Sequence, residues 1–182
     1  MALEFTTSYV TDSIAIFRQY KKLTEAAMAQ LSEEQLQTAT ATESNSIAVI
    51  VKHMAGNMRS RWTDFLTTDG EKPDRDRDAE FEEPPATRAE LMHLWESGWA
   101  CLFGALESLT DADLGRTITI RREAHSVMQA INRQIAHYSC HCGQIIFLAK
   151  HLQAENWKCL TVPRRASADF NRKVLAGEAS QR

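Results

Sequence analysis

With 182 residues, 43% of them hydrophobic and 25% charged, the chain is long enough to bury one sizeable core and is composed like an ordinary globular domain, not a disordered tail or a rod. Its formal charge of -3 offers no general attraction to polyanions, so nucleic acid is not an implied partner. No apolar run approaches the roughly 20 residues needed to cross a bilayer, and residues 1–7 carry Glu4 without a basic flank, so neither a membrane partner nor a secretory leader is predicted and the cytoplasm is the expected compartment.

In that compartment Cys101, Cys140, Cys142 and Cys159 are expected to be reduced thiols. The first predicted helix covers residues 7–31, where Tyr9, Ile16, Tyr20, Leu23, Ala27 and Leu31 recur at combinations of three and four, and no Gly or Pro intervenes. Ser32 with Gln35 then suits a single capped turn. A second helix is predicted over 46–66, with Ile47, Ile50, Met54, Met58, Trp62 and Phe65 or Leu66 as its apolar face and Ser44, Asn45 and Ser46 as capping residues. Gly56 in its middle is tolerable where two helices approach closely.

Residues 68–86 contain Gly70, Pro73, Pro84 and Pro85 with charges between them, and have little to bury. The segment is far longer than an antiparallel hairpin requires, so it reads as a crossover along the length of a bundle. Thr87 with Glu90 forms a capping box opening a third helix, 87–108, with Leu91, Trp95, Leu102, Leu106 and Leu109 as its stripe. Residues 117–121 alternate with period two and suit a short extended segment. Ser126 with Gln129 opens a fourth helix, 126–152, whose residues Met128, Ile131, Ile135, Tyr138, Cys142, Ile145, Ala149 and Leu152 carry the strongest periodicity in the chain. Trp157, Leu160, Val162 and Pro163 follow, and a short helix is predicted over 167–175. Leu31-Ser32…Leu36 is echoed by Leu109-Thr110…Leu114, each ahead of a Thr-rich linker and a helix bearing histidines. The expected fold class is all-α: a single-domain four-helix bundle over residues 1–182, with a short C-terminal helix.

His137 and His141 stand four apart on the fourth helix, so both rings project from one face about a turn apart and can reach a common ion without bending the backbone. They sit in the most continuously apolar helix, where imidazole nitrogens need partners. His53 lies among Val49, Ile50 and Met54 on the second helix, and if those two helices face each other three imidazoles meet. Three nitrogens with open positions is the arrangement of a catalytic rather than a structural zinc site. Asn57 and Ser60 follow His53 on nearly its face, while Arg133 and Gln144 flank the pair on its own face; these are candidates to orient an imidazole or to bind substrate. Cys140 and Cys142 point roughly 200° apart on a helix and cannot share an ion. His93, His125 and His151 read as structural or solvent-facing, and Trp62, Trp95, Trp99 and Trp157 as core aromatics. There is no Gly-rich phosphate loop, no GxSxG elbow and no HExxH; Tyr138 stands where a zincin would carry its base.

The run from Ser46 to Met54 around His53, and His137-Tyr138-Ser139-Cys140-His141-Cys142-Gly143-Gln144, resemble the DinB/YfiT-like superfamily of metal-dependent enzymes. The long connector and the Trp157…Pro163 tail match as well, so the likeness covers nearly the whole chain. It implies up-down-down-up connectivity with the connector as crossover, and His53, His137 and His141 as ligands of a zinc, nickel or similar divalent ion completed by water. It also implies homodimers and small-molecule substrates. The leading expectation is an S-transferase using a low-molecular-weight thiol as cosubstrate, the ion lowering the pKa of the thiol. Hydrolysis of a small amide or ester is the close alternative, and a non-catalytic dimeric metal-binding protein the third. Hydrolysis needs a general base, which no neighbouring Asp or Glu supplies; Glu43 is a candidate from elsewhere in the chain.

Overall fold

Helix ends follow the capping residues. The structure is a computed structural model describing residues 8–180, so the reading of residues 1–7 as no leader, and of Thr7 as the first helical residue, lies outside the described residues. Ser8 accepts a hydrogen bond from the Thr11 N–H and opens α1 (Tyr9–Met28). Ser32 and Gln35 form a reciprocal capping box on the one-turn α2 (Glu33–Gln37). Ser46 caps α3 (Ile47–Trp62), Thr87 and Glu90 box α4 (Arg88–Glu107), and Ser126 and Gln129 box α5 (Val127–Gln153). α6 (Ser167–Leu175) is the last helix of the described residues and buries none of its own. Among the described residues these helices are joined by one two-stranded antiparallel sheet, so the protein is mostly helical.

The echo between the two halves has a structural counterpart. Ser32 opens α2, and Thr110 opens a short 3-10 turn (Asp111–Asp113), with Asp113 accepting from the Thr110 N–H at 2.9 Å.

α1 packs on α5 and α4, and α3 packs on α4 and α5. The buried face of α1 is Val10, Ser13, Phe17, Thr24, Ala27 and Met28, rotated from the predicted stripe, and Ile16 is 37% exposed. Two polar residues disguised the true face. Ser13 and Thr24 are buried at core positions because their hydroxyls donate to Tyr9 O and Tyr20 O one turn back, at 2.7 Å each. α3 is buried on almost every side, and it stops at Trp62 because Thr63 turns to an extended conformation; Phe65 is nonetheless buried beyond it. Around these helices Trp99 meets Phe17, Trp95 and Tyr138 edge to face, and the tilted Phe17 and Tyr138 rings lie 5.9 Å apart. Each fully buried Leu, Met or Phe here contributes about 1.5–3 kcal/mol relative to exposure.

The extended segment is one strand of a hairpin, β1 (Thr117–Ile120) and β2 (Glu123–Ser126). Thr117 pairs with Ser126 and Ile120 with Glu123, so Arg121 and Arg122 form the turn. The long connector docks on α3 and on this hairpin. The Lys52 ammonium donates to Ala79 O and Glu82 O at 2.7 Å each and to Glu83 O at 3.2 Å. Asp69 accepts the turn N–H groups of Arg121 and Arg122, both at 2.8 Å. A 3-10 turn (Ala79–Phe81) then lies directly against α3.

Candidate metal centre

His53 comes from the middle of α3 and His137 and His141 from successive turns of α5, because those two helices pack together. One ligand nitrogen from each lies within 4.8 Å of the others, so the group is one that could hold a metal ion. His53 is 4% exposed and the other two are half-buried.

The hydrogen bonds around the rings decide which nitrogens face inward. His53 Nδ1 donates to Glu80 Oε2 at 2.9 Å, His141 Nδ1 to Gln144 Oε1 at 2.8 Å, and His137 Nδ1 to Gln134 Oε1 at 3.3 Å. With every Nδ1 proton engaged outward, the tautomer assigned by this network leaves each Nε2 as a bare lone pair. Yet the Nε2 atoms of His137 and His141 face one another at 3.0 Å. Two lone pairs at that separation repel unless a proton or a metal cation lies between them. The spacing is near the ~3.4 Å at which neighbouring nitrogens sit around a tetrahedral zinc ion. The donor set thus fits a divalent ion, and the outward partners are those that fix and strengthen imidazole ligands.

The electrostatics agree. Burial, then the neighbouring His141 and His53, then Arg61 and Arg133, push the His137 pKa down to about 3. Burial likewise lowers His141, against the raising effect of its bond with Gln144. Both rings are therefore neutral, as ligands must be.

Glu80 is the residue that sequence reasoning missed. It is 6% exposed, and Arg75 grips it in a fork, Nε to Oε1 at 2.7 Å and Nη2 to Oε2 at 2.8 Å. Burial alone would raise its carboxyl, but the bonds from His53 and Arg75 hold it below its ordinary value, so it is an anion. A Cβ at Gly56 would meet Glu80 Cδ at 2.8 Å, so the bare α3 backbone is what admits the carboxylate. The close helix–helix approach expected at Gly56 occurs instead at Gly98, where a Cβ would lie 2.9 Å from Ala55 Cα. Phe81, next to Glu80, stacks on His53 with ring centroids 4.7 Å apart. Two signals pointed here: a glycine inside an apolar helix, and one aromatic side chain in an otherwise polar connector.

A cleft of about 380 Å³ opens over the three histidines. Asn57, Arg133 and Gln134 line it, together with Arg61, Arg75, Arg77, Arg121 and Phe81. Asn57 accepts a 2.9 Å bond from the Tyr138 hydroxyl and so braces the two helices. Gln144 reaches His141, as described. Ser60 is not among the residues lining this cleft: its hydroxyl donates to Gly70 O at 2.9 Å and accepts from the Lys72 N–H at 3.2 Å, tying the connector to α3. Glu43 is exposed on the turn before α3 and Cys140 is exposed on α5; neither lines the cleft. The four cysteines are free thiols, and burial pushes the Cys142 thiol up to about 11. His93 lines a separate, largely apolar cleft of about 510 Å³ together with Lys52, Pro85 and Leu94. No helix is long and apolar enough to cross a membrane among the described residues.

A mostly helical protein with a partly buried three-histidine cluster is the class that fold and site define. Residues 4–166 match the family described as "Protein of unknown function (DUF1572)", and the chain belongs to that family. Neither a curated protein nor a solved structure matches the chain.

Proposed function

We propose that the protein is a metal-dependent enzyme of the DinB/YfiT type, holding zinc or nickel with His53, His137 and His141 and transferring a low-molecular-weight thiol to a small electrophile. The helix packing supports the wider reading: α1, α5, α3 and α4 each touch two of the others, as the members of a single-domain up-down-down-up four-helix bundle do, with the connector 63–87 as the crossover.

The observation that carries the activity is the pairing of three inward-facing imidazole nitrogens with a cleft that arginines line and, among the described residues, no Asp or Glu does. A divalent ion in such a neutral ligand set keeps its full charge and, when bound, lowers the pKa of a thiol at an open position. The chain's own residues do the rest. Gln144, Gln134 and Glu80 hold the three rings in the ligating tautomer, Phe81 covers His53, and the guanidinium groups favour the thiolate over the thiol. Thiol transfer needs no general base once the thiol is ionised. Hydrolysis does, and the nearest carboxylate, Glu80, is already committed to His53 and Arg75.

The test is turnover of an electrophile panel with and without a small thiol, metal supplied in both arms, on protein prepared without a histidine tag. Thiol-dependent product, lost in His137→Ala together with the bound metal but without loss of fold, is the expected result. Thiol-independent product would instead establish a hydrolase. Metal whose loss unfolds the protein, with no product in either arm, would establish a structural ion.

A further inference from the structure

Five guanidinium groups, those of Arg61, Arg75, Arg77, Arg121 and Arg133, line the cleft over the histidines in a protein whose formal charge is -3. The carboxylates that touch them, Glu71, Glu80 and Asp78, are not among the residues lining it. Glu71 and Glu80 lie behind the two most buried guanidinium groups, Arg61 and Arg75, whose side chains are each 5% exposed. The buried Nε of Arg61 has no hydrogen-bond partner among the described residues.

The outer three are built differently. Arg133 is exposed and makes no ion pair among the described residues. Arg77 lies over the Phe81 ring at 5.2 Å, with its nearest carboxylate oxygen, on Asp78, 3.8 Å away. Arg121 sits in the hairpin turn at φ 53, beside Arg122 at φ 65. Asn and Gly are the residues that adopt such a turn at least cost, and an arginine held there against its preference is a mark of a functional position. Asp69 stabilises the turn through its two N–H groups, which leaves the Arg121 side chain to reach Glu71 and the cleft.

We propose that this cleft is a receptor for a small substrate carrying an oxyanion group, carboxylate or phosphate, gripped by Arg77, Arg121 and Arg133 while its reacting end lies at the three imidazoles. The placement of the reacting end rests on the metal-site reading above; the anion grip does not. A volume of about 380 Å³ is that of a small-molecule site. Forked guanidinium groups recognise planar or tetrahedral oxyanions through paired hydrogen bonds, and the five guanidinium groups outnumber the three carboxylates that touch them, so the local potential is positive.

Titration calorimetry of chelator-stripped protein with malonate, with inorganic phosphate and with neutral malonamide tests this. Malonate or phosphate should bind while malonamide does not, and whichever binds names the oxyanion. Arg133→Gln and Arg77→Gln, both at exposed side chains, should each weaken that binding about tenfold without lowering the melting temperature. Arg121→Asn should weaken it as much while raising the melting temperature, because Asn relieves the turn. Equal binding of all three probes, or arginine variants that bind as the parent does, would overturn the proposal. Metal stoichiometry, measured in parallel on untreated protein, keeps the two readings apart: a protein that binds malonate but no metal loses only the catalytic reading, and one that binds metal but no oxyanion loses only this one.

Discussion

At Gly98 on α4 and at Gly56 on α3 the missing side chain serves different ends. A Cβ on Gly98 would press within 2.9 Å of the Ala55 backbone, so Gly98 sets how closely α4 lies on α3. A Cβ on Gly56 would press within 2.8 Å of the Glu80 carboxyl carbon, so Gly56 sets how closely the connector's carboxylate approaches His53. Ala55 and Gly56 are adjacent in sequence, yet a helical step of about 100° turns them toward different neighbours, Gly98 and Glu80. One side of α3 packs Ala55 and Met58 against Gly98 of α4; another carries charge, through Lys52 and the approach of Glu80 with Arg75. Stability and site chemistry are therefore separable by single substitutions, at Gly98 on α4 and at Gly56 on α3.

Gly56→Ala gives the sharpest break. It should displace Glu80, free the His53 ring and lower divalent-metal affinity about 10–100-fold, the usual cost of losing a ligand's outer partner. Competition against a fluorescent chelator reads this directly, and unaltered affinity would show that Glu80 does not support the ligand. Glu80→Gln should act in the same direction with less disturbance, since it keeps the shape and loses the charge.

Gly98→Ala should do the reverse. Overpacking against the Ala55 backbone costs about 1–3 kcal/mol of stability, visible as a lower denaturation midpoint, while metal affinity stays at the parent value. If both glycine variants lost metal equally, the division of α3 into two sides would fail.

The smallest effect is the pH dependence of the metal-free protein. His137 is held at about 3 in the fold against an ordinary value of 6.5. Between those values the unfolded chain takes up a proton that the folded one refuses, so the stability tied to the neutral ring is complete above 6.5 and is lost as pH falls toward about 3. Melting temperatures in chelator should fall over that window, and the His137→Gln variant should fall less steeply.

Much of this was legible in the residues. The capping pairs Ser32–Gln35, Thr87–Glu90 and Ser126–Gln129 announce helix starts because the reciprocal bond is local, made within three residues. The i,i+4 histidine pair shares a helical face whatever surrounds it. The face of α1 was not legible in the same way: Tyr9, Ile16 and Leu23 compete with Val10, Phe17 and Met28, and only packing against α4 and α5 shows that Ser13 and Thr24 are covered. Glu80 was hidden for the converse reason. Among Asp74, Asp76, Asp78, Glu82 and Glu83 one more acid reads as solvated linker, and nothing local distinguishes the one that enters the interior.

Periodicity, capping chemistry and the spacing of His137 and His141 belong to the chain alone, since helical geometry ties each residue to neighbours within a turn of it. Where the connector folds back is a different matter. That Glu80 meets His53 from 27 positions away, that Arg61, Arg75, Arg77, Arg121 and Arg133 share one cleft, and that a strained Arg121 faces it, were settled by α3, α5 and the hairpin packing together. Charges distant along the chain become partners only when burial removes the water that would otherwise screen them.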